Sequence, residues 1–294
     1  MDEKQKYVKK STYSAYVLLL KNHILPYFGN YEKITEKDVQ EFVLKKLDCG
    51  LSEKTIKDIL VVINMILKYG AKNKFIEFEK IEVKFPSKIN DKSLEVLSIN
   101  NQKKLMKYLK DNLNFKNLGI YICLCTGIRI GELCALTWAD IDMKNAIIKI
   151  RKTLQRVYII ENETKYTKII IDSPKTQNSL RDIPIAQDLY KILKLVIYKT
   201  NINNYILTNT TAPTEPRTFR NYFKKIIDEV DIPQIKFHGL RHSFATRCIE
   251  GKCDYKTVSV ILGHSNISTT LNLYVHPNLE QKKRCINQMS KMLK

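Results

Sequence analysis

Four short stretches of the chain hold residue types that could act together on a phosphate. In TGIRIGEL, residues 126–133, Gly127 precedes a helix whose first turn presents Arg129, and Glu132 three residues on shares its face. A carboxylate so placed can hold a guanidinium in position, although an Arg–Glu pair at this spacing is also an ordinary surface ion pair. In FHGLRHSFATR, residues 237–247, His238 and Arg241 lie three apart at the start of a run with a helical apolar face, Leu240, Phe244 and Ala245. An imidazole and a guanidinium on one face can grip an oxyanion or a phosphate; a buried, hydrogen-bonded histidine is the plainer alternative. His238 and His242 are four apart, as in a zinc-binding helix, but that motif needs Glu directly after the first His and Gly239 stands there, so no metal is expected. In ILGHSNISTTLNLYVH, residues 261–276, Gly263 reads as a helix stop, His264 follows it, and Tyr274 comes ten residues later. A tyrosine in such a mixed setting is usually packing, yet its phenol is also a nucleophile. SPKTQNSLRDIPI, residues 173–185, reads as a turn between two strands, with Lys175 near its start and able to reach outward. His242, His276 and Trp138 fall in the same neighbourhoods, and packing accounts for them.

The elements that must position these residues follow from periodicity. Residues 12–75 are helical in pattern, most clearly after Ser52, where Ile56, Ile59, Leu60, Ile63, Ile66 and Leu67 recur at three- and four-residue steps. The other face of that helix carries Lys54, Lys57 and Lys68, which could meet a DNA backbone or simply be solvated. Thr35 followed by Glu36 and Asp38 marks another helix start. Helical periodicity is lost before Pro86, which sets a linker at 83–95 between a helical domain, 1–82, and a second domain, 96–294. The second domain opens with helices at about 98–112 and 115–137. Short β-branched runs at 146–150, 157–160, 168–171 and 181–185 then predict a three-stranded antiparallel sheet, and helices return after Gln187. The hairpin at about 152–166 is longer than such a sheet needs. The expected fold class is therefore mainly α with a small antiparallel β-sheet in the second domain, not a doubly wound α/β fold.

Composition narrows the class of partner. The 294 residues carry 50 Lys and Arg against 30 Asp and Glu, a formal net charge of +20. Residues 1–90 hold 17 against 12 and the remainder 33 against 18, so the second domain has most of the positive field. Folding does not require such an excess; a polyanion rewards it, and nucleic acid is the expected partner. The sequence shows no apolar run of about 18 residues and no basic amphipathic end segment, so no membrane partner is expected. The charged start MDEKQKYVKK lacks a signal-peptide pattern, which predicts a cytoplasmic protein. Seven cysteines, an odd number without C-x-x-C spacing, read as reduced thiols and not as a disulfide framework or a zinc ribbon.

Taken in chain order, Arg129, Lys175, His238 with Arg241, His264 and Tyr274 resemble the active site of the tyrosine recombinases, the phage-integrase family. TGIRIGEL resembles the family's first-arginine motif, HGLRHSFAT its H-x-x-R box, LGHSNISTTLNLYVH its LGH box with the nucleophile ten residues on, and the Lys175 turn its β-hairpin lysine. The match covers roughly residues 95–285, and the preceding helices resemble the family's SAM-like core-binding domain by pattern alone. The resemblance implies a two-domain DNA clamp that performs site-specific recombination, integration or excision, through a 3′-phosphotyrosine on Tyr274. It implies Arg129 and Arg241 as phosphate clamps, Lys175 as general acid, His238 and His264 as proton-handling and phosphate-bonding groups, and Glu132 behind Arg129. It calls for no metal, ATP or other cofactor. Implied partners are double-stranded DNA, three further copies in a homotetramer on synapsed DNA, the free protein being a monomer, and an excisionase or other directionality factor. The implied setting is a bacterial or phage-encoded protein at the nucleoid.

About ten residues precede the first expected helix, which fits either a recombinase without the extra arm-binding domain or a truncated chain. Leu279, Ile286, Met289 and Leu293 stand near helical spacing; such a tail could dock on a neighbouring protomer or fold onto its own domain. Two other readings remain at this point: a type IB topoisomerase-like enzyme, and a DNA-binding protein that keeps the fold without catalysis. All six catalytic positions being occupied argues against the latter.

Overall fold

The computed structural model describes residues 6–77, 81–86, 95–161, 164–174, 177–274 and 279–292. Apolar residues at helical steps build α1 (Lys10–Leu19), a π-helical turn (Leu20–Ile24), α2 (Leu25–Phe28), α3 (Glu36–Asp48) and α4 (Glu53–Lys72). Side-chain caps start the last two. The Asp38 amide donates to Thr35 Oγ1 at 3.3 Å while the Thr35 amide donates to the Asp38 carboxylate at 2.9 Å, and the Thr55 amide donates to Ser52 Oγ at 3.1 Å. Their buried faces meet through Phe28, Val39, Phe42, Ile56, Ile59 and Ile63. Ile66, expected on this face, is exposed. Val83 and Phe85, in the stretch read as linker, lie against the same core, and Gln40 holds Lys84 by its amide and its carbonyl. Lys54, Lys57 and Lys68 are exposed on α4; Lys57 pairs with Glu53 at 2.7 Å and stands over the Phe85 ring.

Downstream come α5 (Ile99–Asp111), α6 (Phe115–Thr126) and α7 (Ile130–Ala135). The expected helix at 115–137 is thus two helices. Gly127 breaks it with a left-handed φ of 64°, and a Cβ there would stand 2.6 Å from Phe244 Cδ1 and 2.8 Å from Leu262 Cδ2, so only glycine closes the turn. α6 is apolar around nearly its whole circumference and buried on all sides, which makes it the central helix of its unit.

The sheet also departs from expectation. β1 (Ile141–Asp142), β2 (Ile147–Ile150) and β5 (Arg181–Pro184) form the three-stranded antiparallel sheet in the order β1-β2-β5. The runs at 157–160 and 168–171 belong instead to β3 (Thr153–Glu161) and β4 (Thr164–Asp172), a two-stranded hairpin of its own. β-Branched content reports an extended chain, not which strands pair, and the register here follows from burying Ile148, Ile150 and Ile183 on one face.

The rest is helical: α8 (Gln187–Ile197), α9 (Pro216–Val230), α10 (His238–Glu250), α11 (Tyr255–Leu262), α12 (Ile267–Tyr274) and α13 (Leu279–Met292). α10 packs along α6, while α11 and α12 pack on each other and on α10. The protein is therefore mainly helical with small antiparallel sheets. The chain divides into two compact units, Met1–Asp91 with Val157–Lys168, and Lys92–Arg156 with Ile169–Lys294. Cys49, Cys123, Cys125, Cys134, Cys248 and Cys253 are free thiols. Among the described residues no helix is long and apolar enough to cross a membrane.

Emptying the first core should be costly. Phe42→Ala is expected to lose about 3–5 kcal/mol in urea unfolding, whereas Lys57→Ala should lose under about 1 kcal/mol because its ion pair is exposed.

Candidate active site

The site is organised by the end of one short helix. α11 stops at Gly263 (φ 66°) in a Schellman turn, in which the Gly263 amide donates to Val260 O at 2.9 Å and the His264 amide to Ser259 O at 3.0 Å. That turn leaves the carbonyls of Ile261, Leu262 and Gly263 for other donors. Three arginines take them in sequence: Arg181 Nε donates to Ile261 O at 2.6 Å, Arg241 Nη2 to Leu262 O at 2.7 Å, and Arg129 Nη2 to Gly263 O at 3.0 Å. The negative end of the helix dipole favours cations at this place. Arg241 also donates through Nη1 to Gly127 O at 2.8 Å, so the two left-handed glycine turns share one guanidinium.

Glu132 ties the arginines together from behind. Its carboxylate is buried and accepts the Arg129 backbone amide at 2.9 Å, Arg129 Nη1 at 2.9 Å, and Arg181 Nη1 and Nη2 at 3.1 and 2.8 Å. Burial pushes its pKa up, but the Arg181 hydrogen bonds, then the charges of Arg181 and Arg129, outweigh burial and hold it below the usual carboxylate range. Glu132 is therefore ionised. Three guanidiniums against one carboxylate leave the cluster positive, which suits an anion.

Two histidines border the cluster. His264 follows Gly263 directly, and its Nδ1 lies 2.8 Å from Thr270 Oγ1, a buried hydroxyl on α12. Burial, followed by the charges of Arg241, Arg129 and Arg181, lowers its pKa to about 4. His238 opens α10, three residues before Arg241, with its ring edge-on to His242 at 4.7 Å. Desolvation first, then His242, Arg241 and Arg129, lower its pKa too, with water screening part of the effect because the residue is exposed. Both imidazoles are neutral at pH 7. Beside His238 lies an open hollow of about 750 Å³, lined by Ile130, Arg220, Lys224 and Lys236 among others, with Lys236 paired to Glu95 at 2.6 Å.

Of the residues singled out from sequence, Arg129, Glu132, His238, Arg241 and His264 thus converge on this one place. Tyr274 is the last residue of α12, one turn beyond Thr270. Lys175 and His276 lie outside the described residues; the stretch after Lys175 continues as a single 3₁₀ turn, Gln177–Ser179, into β5. Lys54, Lys57 and Lys68 belong to the other unit. Sequence reasoning missed Arg181. Its signal was alternation: in β5 Arg181 and Ile183 are buried while Asp182 and Pro184 face out, so a charged residue occupies an inward register.

Residues 95–281 match the phage integrase family, and residues 1–47 match the N-terminal SAM-like domain of phage integrases. The chain belongs to the phage integrase family, the tyrosine recombinases, whose activity is site-specific recombination by breaking and rejoining DNA through a phosphotyrosine. It is 30% identical over 275 residues to a XerC-like tyrosine recombinase of Caldanaerobacter subterraneus, spanning 86% of this chain and 70% of the relative. Over 308 residues it is 24% identical to the ICEBs1 integrase of Bacillus subtilis, covering all of this chain and 80% of that protein. Its fold matches the Tn1549 transposon integrase in complex with transposon right-end DNA, with a TM-score of 0.78 at 22% identity over 98% of this chain and 96% of that one.

His264 should titrate near pH 4 in the folded protein by NMR, against about 6.5 when unfolded. The unfolded chain then binds the extra proton first, so the stability contributed by this group is complete above about pH 6.5 and is lost as the pH falls toward 4. Thermal melts across that window should show the decline, and His264→Asn should lessen it while leaving the part that His238 contributes over the same range.

Proposed function

We propose that this chain recombines DNA with Tyr274 as nucleophile, Arg129 and Arg241 as phosphate clamps, Lys175 as general acid, and His238 and His264 as neutral hydrogen-bonding and proton-handling groups. One observation carries the reading: Arg129, Arg241 and His264 are gathered at the end of α11 with α12, the helix that ends at Tyr274, fastened there by the His264–Thr270 contact. In this scheme the Tyr274 phenolic oxygen bonds to phosphorus and the bond to the 5′ oxygen breaks. The phenolic proton passes to His238, and Lys175 protonates the departing 5′ oxygen, which leaves as a hydroxyl. The phosphotyrosine keeps the energy of the broken diester, so a second 5′ hydroxyl can reverse the step without ATP. The chemistry needs no metal, because guanidiniums supply the charge that stabilises the transition state. Glu132 fixes the orientation of Arg129.

In the same reading residues 1–82 are the core-binding domain, 83–95 the linker and 96–294 the catalytic domain. Lys54, Lys57 and Lys68 meet the DNA backbone from the first, and Arg220 and Lys224 beside His238 from the second. The net charge of +20 supports a double-stranded DNA partner. The active assembly is a homotetramer on synapsed DNA, formed from monomers. α13, which exposes Ile286 and Met289, docks on a neighbouring protomer. A directionality factor selects integration or excision, and the protein works in the cytoplasm at the nucleoid.

A nicked suicide substrate should trap wild-type protein as a covalent adduct that survives denaturing electrophoresis. Tyr274→Phe is expected to abolish the adduct while leaving DNA affinity intact; an adduct in that variant refutes the assignment. Arg129→Ala should slow trapping by about 100-fold or more, the equivalent of about 3 kcal/mol of lost transition-state stabilisation. Lys224→Ala should weaken binding evenly across sequences and reduce the salt slope by about one.

A further inference from the structure

Arg181 is a buried cation of the site, with its side chain 4% exposed, and it makes contacts in three directions. Nη1 and Nη2 fork onto the two oxygens of Glu132, Nε reaches Ile261 O, and Nη1 also donates to Ser179 O at 3.1 Å. It packs tightly against Gly263, where a Cβ would stand 3.0 Å from Nη1, 3.2 Å from Cδ and 3.0 Å from Asn178 O. Glu132 in turn holds Arg129 by Nη1, while Arg129 Nη2 rests on Gly263 O. Both supports of the Arg129 guanidinium, the carboxylate behind it and the helix end beside it, are therefore shared with Arg181. Arg129 keeps its side chain 37% exposed, whereas every guanidinium nitrogen of Arg181 is already engaged by Glu132, Ile261 O or Ser179 O.

We propose that Arg181 is a positioning residue for strand cleavage: it sets the orientation of the Arg129 guanidinium through Glu132 and through the end of α11. Only a planar fork performs this task. A lysine at 181 retains the charge but supplies one point donor, which cannot span both carboxylate oxygens and also reach Ile261 O. Glu132 then turns, and Arg129 turns with it. Arg181 also stands six residues after Lys175 in sequence, so the stretch that carries the proposed general acid leads into the contact that aims the phosphate clamp. This inference rests on the proposed role of Arg129.

The test is single-turnover trapping on the suicide substrate, with DNA affinity and melting temperature measured in parallel. Arg181→Lys is expected to keep its affinity within about threefold and to cleave about 10- to 100-fold more slowly, the loss that follows from a small misplacement of a reacting group. A substrate with a neutral methylphosphonate at the scissile position makes less demand on a guanidinium, and there the deficit should shrink to within about threefold. A purely architectural role would slow both substrates alike. Should Arg181→Lys melt far below wild type, both substrates are compared for it and for Arg181→Gln, which is still planar and leaves Glu132 on Arg129, at a temperature where each variant is folded; the same substrate-dependent deficit is expected. Wild-type cleavage rates in a folded variant, or an equal deficit on both substrates, overturn the role of Arg181. Absence of any adduct with wild-type protein would instead overturn the reading of the site itself.

Discussion

The structure depends on the way α11 ends. A helix terminus must place its last carbonyls somewhere, and a Schellman turn takes care of only part of them. Here the carbonyls of Ile261, Leu262 and Gly263 each receive a guanidinium, and those guanidiniums come from β5, α10 and the N-terminal edge of α7. An unmet need of the backbone thus determines where three charges from distant parts of the chain come to rest. Gly127 and Gly263 permit the close approach: a Cβ at Gly127 would collide with Phe244 and Leu262, and one at Gly263 would crowd Arg181 and Asn178 O, both glycines having left-handed φ. His264 takes its place for the same reason: it is the first residue past the turn, and its imidazole reaches Thr270 on the helix that leads to Tyr274.

Such an arrangement is expensive in isolation. Burying the Arg181–Glu132 pair removes two ions from water, a cost that good geometry roughly offsets, and losing either partner would leave about 3–5 kcal/mol of uncompensated charge. What the pair provides is a fixed geometry for a positive cluster in a protected setting. The two neutral imidazoles belong to the same electrostatic picture. They are deprotonated first because burial disfavours their charged form and then because the guanidiniums already fill the site with positive charge, and an arriving phosphate would relieve that second pressure and let them share protons.

Much of this could be read in the residues. TGIRIGEL, HGLRHSFAT and LGHSNISTTLNLYVH carried the local signals, since a glycine helix stop and a three-residue spacing are properties of short stretches. The caps at Thr35 and Ser52 were legible for the same reason. Pairing was less so. The β-branched runs announced extended chain, but the partner of β2 proved to be β5, thirty residues on, with the long hairpin standing apart. The glycine before Arg129 marked a helix start at 127, yet apolar periodicity carried the expected helix 115–137 across it, because the crowding that enforces the break comes from Phe244 and Leu262, more than a hundred residues away. Arg181 escaped because its partners, Glu132 and Ile261, are 49 and 80 positions distant, and only its inward register hinted at a buried charge.

That same distance in sequence has a consequence for the protein's life before it is finished. The contact between Arg129 and Gly263 spans 134 residues, and the one between Arg241 and Gly127 spans 114. Residues emerge from the ribosome at about 5–20 per second, so a growing chain exposes Arg129 several seconds before the helix end that will seat it. During that interval the nascent polypeptide holds parts of the positive cluster without the helix end that gathers them. Assembly of the cluster waits on contacts more than a hundred residues apart, and the topology itself delays it.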